Sequence, residues 1–300
     1  LAVILGPTAS GKSALAIALA EKLNGEVVVC DSTQVYRRFN IGTAKVPPAG
    51  QKGIPHWMMD LVEPHEIFTA GDYRRRAEEI LRDIHARERL PIVTAGTGLY
   101  LRALLEGLAD APTRSEELRA RLRERSAGRG PEYLHRLLRR LDPSSAARIA
   151  PRDTQKVIRA IEMRVLTKKS VNEIHAAGRA PLEGFTPIKI GLKPPRPALY
   201  ARIEQRVEEM LAAGWQEEIR AILSSGVPSD AKPFAFIGYR EMLPHHSSAP
   251  STSVIAEIRK STRHFAKRQQ TWFARETNVH WLPHFGDDPV AIERSIALLK

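Results

Sequence analysis

Apolar and polar positions follow three patterns along the chain. Over residues 1–110, continuous apolar runs alternate with helix-period stretches. Ala2-Val-Ile-Leu5 reads as a strand, followed by a Gly-rich turn and the apolar-periodic helix Ser13 to Leu23. Glu26-Val-Val-Val-Cys30 predicts a second strand, and Pro91-Ile-Val-Thr-Ala95, after a helix over Ala70 to Arg87, a third. Unbroken β-branched runs separated by helices are the pattern of a parallel sheet covered on both faces. Ile188-Lys-Ile-Gly-Leu192 and Val279-His-Trp-Leu282 read as further strands of it. Between them, residues 112–187 are purely helical in pattern, with breaks at Gly128-Arg-Gly-Pro131, Asp142-Pro143 and Pro151. Long helices over Pro197 to Ala213 and Ser253 to Glu276 follow, the second entered through a polar loop from Pro244. The expected fold is α/β: a P-loop parallel sheet flanked by helices over 1–111 and 188–300, with an inserted all-helical domain over 112–187.

Charge sharpens this division. The chain has 300 residues, 46 Lys plus Arg against 34 Asp plus Glu, and a net charge of +12. Residues 112–187 hold 17 basic and 9 acidic side chains, and residues 257–275 hold 6 and 1. Excess concentrated in two segments is what a polyanion-binding surface requires. The single cysteine, Cys30, excludes an internal disulfide and a Cys-based zinc site. No apolar run approaches the roughly 20 residues of a bilayer span, and no leader pattern opens the chain. A cytoplasmic, reducing compartment with no membrane partner is expected. The chain opens directly on a strand, so native residues are expected to precede Leu1.

Gly6-Pro-Thr-Ala-Ser-Gly-Lys12-Ser13 fits the P-loop pattern between a strand and a helix. Its glycines allow backbone N–H groups to turn around an anion, and the helix N-terminus adds its dipole. Lys12 supplies a point charge and Ser13 an oxygen for Mg²⁺. The motif specifies a diphosphate or nucleotide without saying which. Asp31 closes the second strand, at the edge where ligands of open parallel sheets bind. It reads equally as a turn cap, a Mg²⁺ ligand or a general base. Thr97, in Gly96-Thr-Gly-Leu-Tyr100, follows the third strand in the same way and reads either as a site hydroxyl or as a helix N-cap. Arg202 and Arg206 share a helical face after a core strand and, with Lys193, could reach a diphosphate. In Arg263 to Phe273, helical spacing aligns His264, Arg268 and Trp272 beside Arg263 and Lys267. Basic side chains among aromatics suit phosphate contact and base stacking together. Phe265 and Phe273 read as core.

Gly6 to Ser13, Asp31-Ser-Thr-Gln-Val-Tyr36 with Ile41-Gly-Thr-Ala-Lys45, Gly96 to Tyr100, Arg202 to Arg206, Phe236-Ile-Gly-Tyr-Arg-Glu241 and Ala266 to Glu276 occur in that order. In order and spacing the chain resembles the bacterial tRNA dimethylallyltransferases over essentially its whole length. The resemblance implies transfer of a dimethylallyl group from dimethylallyl diphosphate to the exocyclic N6 amine of the adenosine 3′ of the anticodon, with Mg²⁺ as cofactor. It assigns Gly6, Pro7, Thr8, Ala9, Ser10, Gly11, Lys12 and Ser13 to the diphosphate. Asp31, Thr97, Lys12 and Arg206 become the catalytic set. It assigns tRNA contacts to Asp31, Ser32, Thr33, Gln34, Thr97, Arg119, Gln155, Lys156, Val157, Ile158, Arg159, Gly238, Tyr239, Arg240, Lys267, Arg268, Gln269, Gln270, Thr271 and Trp272. The implied partner is the anticodon stem-loop, gripped by the helical insertion of a monomer. Two departures from the family pattern stand out. Ala235 precedes Phe236-Ile-Gly where some relatives carry a basic residue, and Ala274-Arg275 replaces a basic pair. The competing readings are a P-loop kinase of nucleosides or small molecules and a transferase that prenylates free AMP.

Overall fold

The computed structural model describes residues 1–300 except 110, 131 and 177. Six parallel strands form one sheet: β1 (Ala2–Leu5), β2 (Gly25–Cys30), β3 (His56–Trp57), β4 (Leu90–Ala95), β5 (Ile188–Leu192) and β6 (Val279–Leu282), in the order β3-β2-β4-β1-β5-β6. Alternate residues of the central strands serve different cores. Val3, Leu5, Val28, Cys30, Val93 and Ala95 join one cluster, and Ala2, Ile4, Val27, Val29 and Ile92 the other. Burial on both faces explains why these strands read as unbroken apolar runs.

Helices α1 (Lys12–Leu23), α2 (Ala70–Ala86) and α3 (Gly98–Leu105) connect the first strands. Thr69 caps α2 reciprocally with Asp72, three residues on, satisfying two N-terminal donors. A helical stretch follows: α4 (Glu116–Ser126), α5 (Tyr133–Leu141), α6 (Pro143–Ala146), α7 (Thr154–Thr167) and α8 (Val171–Ala176). Then come α9 (Arg196–Ala212), α10 (Trp215–Ser224), α11 (Tyr239–Met242), α12 (Thr252–Phe273) and α13 (Pro289–Leu299).

The chain divides into two compact units, Leu1–Leu105 with Leu182–Lys300, and Glu106–Pro181. Both bounds of the second unit fall six residues before the expected 112 and 187. At the second bound, the Leu182 N–H donates to the Leu105 carbonyl at 3.0 Å, and Leu182 and Phe185 pack on the sheet's core. The second unit has its own core around Leu122, Leu134, Leu138, Val157, Ile158 and Ile161. The expected break at Asp142-Pro143 is observed, with Asp142 capping α6 and Pro143 in its first turn, where no N–H is needed. Pro131, of the break expected over 128–131, lies outside the described residues. Among the described residues no helix is long and apolar enough to cross a membrane.

Candidate active site

Register brings the three motif loops together. Leu5 and Cys30 both align with Ala95, so β1, β4 and β2 end side by side. The loop from Gly6, the turn at Gly96-Thr97 and Asp31 therefore emerge at one edge of the sheet. In the first loop, Ala9 takes the left-handed conformation at φ 63° and Gly11 at φ 88°. A Cβ on Gly11 would lie 2.7 Å from the Gly286 nitrogen, so this position requires glycine. The Gly286 N–H donates to the Ser10 carbonyl at 2.9 Å and holds the loop from outside.

The loop opens onto a cavity of about 1020 Å³, lined among others by Lys12, Ser13, Asp31, Gly96, Arg206 and Arg268. An apolar wall completes it, including Ile203, Val207, Met210, Trp215, Phe236 and Ile237. Lys12 Nζ donates to the Gly6 and Pro7 carbonyls, both at 2.9 Å. Burial pushes its pKa down to about 8; Asp31 opposes that shift and Arg206 adds to it. Burial, and then repulsion from Arg202, likewise lowers the Arg206 pKa. Among the described residues no carboxylate forms an ion pair with either cation. Two partly buried cations on one cavity beside the P-loop form a receptor for an anion of more than one charge.

Asp31 lies on the wall of this cavity. Its Oδ1 accepts from the Thr33 N–H at 2.8 Å and the Thr33 hydroxyl at 2.7 Å. Its Oδ2 lies against Gly96, where a Cβ would approach to 2.3 Å, so only glycine leaves the carboxylate room. Thr97 Oγ1 accepts from the Ser32 N–H at 2.9 Å and donates to Ser32 Oγ at 3.1 Å, fixing the backbone directly after Asp31. Gln34 Nε2 donates to the Thr43 carbonyl at 2.9 Å and shapes the following loop. The arrangement can hold a diphosphate at one end and offer a carboxylate oxygen to a donor group at the other. Cys30, buried just behind, has its thiol pushed up to about 12 by burial, far from the thiolate range.

The other expected site residues differ in placement. Arg202 lines the cavity but grips Asp287 through two N–H groups, both at 2.7 Å, with its guanidinium over the Phe285 ring at 4.6 Å. Lys193 is exposed and does not line the cavity. Phe265, expected in the core, lines the cavity, whereas Phe273 is buried as expected.

Of the residues assigned to tRNA by resemblance, Gln155, Lys156, Arg240, Lys267, Arg268 and Thr271 are exposed, and Gln270 and Arg159 partly so. Arg119, Val157, Ile158, Tyr239 and Gln269 are interior. Arg119 donates from Nε and Nη2 to the two oxygens of fully buried Glu162, both at 2.8 Å. Arg159 and the Ser115 N–H donate to the same carboxylate. Burial pushes the Glu162 carboxyl up, but these hydrogen bonds outweigh it and hold it down at about 2. A phosphate could reach Arg119 only by displacing Glu162, so Arg119 acts as a structural cation. Tyr239 donates to Glu218 at 2.5 Å and accepts from the Gly42 N–H at 3.0 Å, while Gly238 faces the Trp215 ring. The Trp272 indole packs on Gly98 with the Arg102 guanidinium 5.0 Å from its ring, so it is engaged within the protein rather than presented for stacking.

Sequence reasoning missed Trp215, Glu218 and the 285–287 turn. Each is a solitary residue or short turn distant in sequence from what it holds, and no spacing marks it.

A family model described as IPP transferase matches residues 34–276. A tRNA dimethylallyltransferase of Koribacter versatilis is 48% identical, the match covering 100% of this chain and 98% of that protein. Its counterpart in Solibacter usitatus is also 48% identical, over 96% and 94%. Among solved structures, a tRNA isopentenylpyrophosphate transferase of Staphylococcus epidermidis superposes with a TM-score of 0.69 at 34% identity, covering 99% of this chain and 98% of that one. A eukaryotic dimethylallyltransferase described as acting on tRNA superposes at 0.83 with 28% identity, covering 99% and 77%.

Proposed function

Because the chain belongs to the IPP transferase family, we propose that it transfers a dimethylallyl group from dimethylallyl diphosphate to the N6 amine of an adenosine beside the anticodon of tRNA. The observation that carries this reading is the cavity itself. It joins the P-loop, two cations that form no ion pair with a carboxylate among the described residues, an apolar wall and the Asp31 carboxylate in one space. A diphosphate supplies the missing negative charge, and a short isoprenoid suits the apolar wall.

The chemistry follows from these groups. The adenine amine is a weak nucleophile because its lone pair is delocalised into the ring. As the new N6–C1 bond forms, an Asp31 oxygen accepts the amine proton and raises electron density on nitrogen. The C1–O bond breaks, and its electron pair leaves with the diphosphate. Lys12, Arg206 and the loop N–H groups stabilise the charge that develops there. Thr97 keeps Asp31 in place through Ser32. The acceptor base must leave its stack to enter the cavity, at a cost of a few kcal/mol offset by tRNA contacts.

Among the described residues no group of three or more His, Cys, Asp or Glu could hold a metal ion. A Mg²⁺ would therefore take Ser13 Oγ from the protein and most of its oxygens from the diphosphate and water, the usual pattern for this ion. When bound it would add positive charge to the leaving group.

The protein is mixed with isotope-labelled dimethylallyl diphosphate and either tRNA or AMP, with ATP and a nucleoside as a control. Label is expected in tRNA alone. Label in AMP, or phosphoryl transfer from ATP to the nucleoside, overturns the proposal.

A further inference from the structure

The family resemblance assigns Gln269 to tRNA, yet it is 6% exposed on the inner face of α12. Both ends of its amide are used. Oε1 accepts the Thr8 N–H at 2.7 Å, and Nε2 donates to the Gly96 carbonyl at 2.8 Å. Thr8 belongs to the loop assigned to the diphosphate. Gly96 faces Asp31 Oδ2 and precedes Thr97, and its own N–H donates to the Cys30 carbonyl at 3.0 Å. One side chain thus spans the two loops that hold the leaving group and the carboxylate. The backbone segments it joins lie 88 residues apart, from Thr8 to Gly96.

We infer that Gln269 is a positioning residue that sets the separation of the diphosphate loop from Asp31, rather than a contact to tRNA. This role rests on the transfer reaction proposed above. In-line transfer needs C1 of the donor and N6 of the acceptor held near contact distance, so the two halves of the site must be rigid relative to each other. A primary amide is suited to this role because it offers one acceptor and one donor at opposite ends of a planar group. Glutamate would lose the donor, and methionine would lose both. Removing the amide would leave the buried Gly96 carbonyl without this donor and the Thr8 N–H without this acceptor. The Thr8 amide is also spoken for, so it serves the scaffold and not the anion. Two neighbours of Gln269 on the same helix, Lys267 and Arg268, are exposed. The helix can therefore contact RNA on its outer face while its inner face braces the site.

The test compares wild type, Gln269→Met and Gln269→Glu in steady-state prenyl transfer, tRNA binding and amide hydrogen exchange at Thr8. A misplacement of about an ångström costs on the order of 100-fold in rate. For Gln269→Met we therefore expect kcat to fall by roughly 10- to 100-fold, with KM for donor and tRNA little changed and Thr8 exchange markedly faster. Gln269→Glu is expected to keep Thr8 protected, because an oxygen remains for it, and still to lose kcat. An unchanged kcat with raised tRNA KM in Gln269→Met would return the residue to RNA contact and overturn the inference, as would unaltered Thr8 exchange in that variant. Wild-type kcat in Gln269→Glu would remove the Gly96 half of the bracket. If Gln269→Met fails to fold, kcat and Thr8 exchange in Gln269→Glu still decide. If wild type transfers no label to tRNA, the proposed function fails instead, and the Thr8 exchange comparison still decides the bracket.

Discussion

Both units of the molecule withdraw cationic side chains from water, and they do so in opposite ways. In the insertion, Arg119 is gripped by both oxygens of buried Glu162, with Arg159 and the Ser115 N–H completing the carboxylate's partners. In the sheet unit, Lys12 and Arg206 border a cavity, and among the described residues no carboxylate pairs with them. Desolvating a charge costs several kcal/mol unless an opposite charge offsets it. The insertion offsets that cost with its own residues. The sheet unit leaves it to be offset by a ligand, and the depressed pKa values of Lys12 and Arg206 record the deficit. A paired buried cation therefore marks architecture here, and an unpaired one marks where an anion binds.

The largest effect that can break this comparison concerns Asp31, a carboxylate on the same cavity that is held by Thr33 rather than by either cation. Asn keeps the size and one acceptor but takes no proton, so Asp31→Asn should lower kcat by about 10²–10⁴-fold, with donor affinity nearly unchanged. Single-turnover kinetics across a Mg²⁺ series check this. Full rescue by metal would make Asp31 a metal ligand and end the general-base assignment.

Glu162→Ala comes next and acts through stability alone. Breaking a buried pair leaves an uncompensated charge and costs roughly 3–5 kcal/mol, so denaturant unfolding of the insertion should shift accordingly while donor binding persists. Replacing Arg119 and Glu162 together by Met and Leu should cost far less, since no lone charge remains. The same pair has a pH signature. Because the folded Glu162 pKa lies at about 2, below its ordinary 4.5, its contribution is complete above pH 4.5 and is lost as pH falls toward 2. Insertion stability that stayed flat across that window would contradict the assignment.

The smallest effect separates exposed cations from paired ones. Charge reversal at exposed Lys267 should flatten the logarithmic salt dependence of tRNA binding by roughly 0.7–0.9 for each phosphate no longer neutralised. A tRNA affinity indifferent to salt would remove the basic segments from the account.

This distinction between cations was only partly legible in the sequence. The P-loop, Asp31 and Thr97 follow strands whose unbroken apolar runs declare them, and parallel register then forces their loops onto one edge. The two-residue β3 is too short to carry a period, and the 188–192 and 279–282 strands could be placed by their apolar runs alone. What no pattern shows is which arginines are spent. Arg119 and Glu162 stand 43 residues apart, and Arg202 and Asp287 stand 85 apart. A helical spacing that aligns Arg202 with Arg206 says nothing about either partner. Likewise Gln269 and Trp272 sit in a basic, aromatic run that reads as an RNA surface. The helix rotates both inward, onto Thr8 and Gly98.

The central claim is tested most directly by titrating dimethylallyl diphosphate into wild type, Arg206→Ala and Arg119→Ala by calorimetry, with thermal unfolding recorded for each. Hydrogen bonds to a charged group contribute about 1.5–3 kcal/mol, so Arg206→Ala should weaken donor binding by roughly 10- to 100-fold and leave Tm at or above that of wild type. Arg119→Ala should lower Tm and bind the donor as wild type does. Unchanged donor affinity in Arg206→Ala, or a loss of stability there equal to that in Arg119→Ala, would contradict the account.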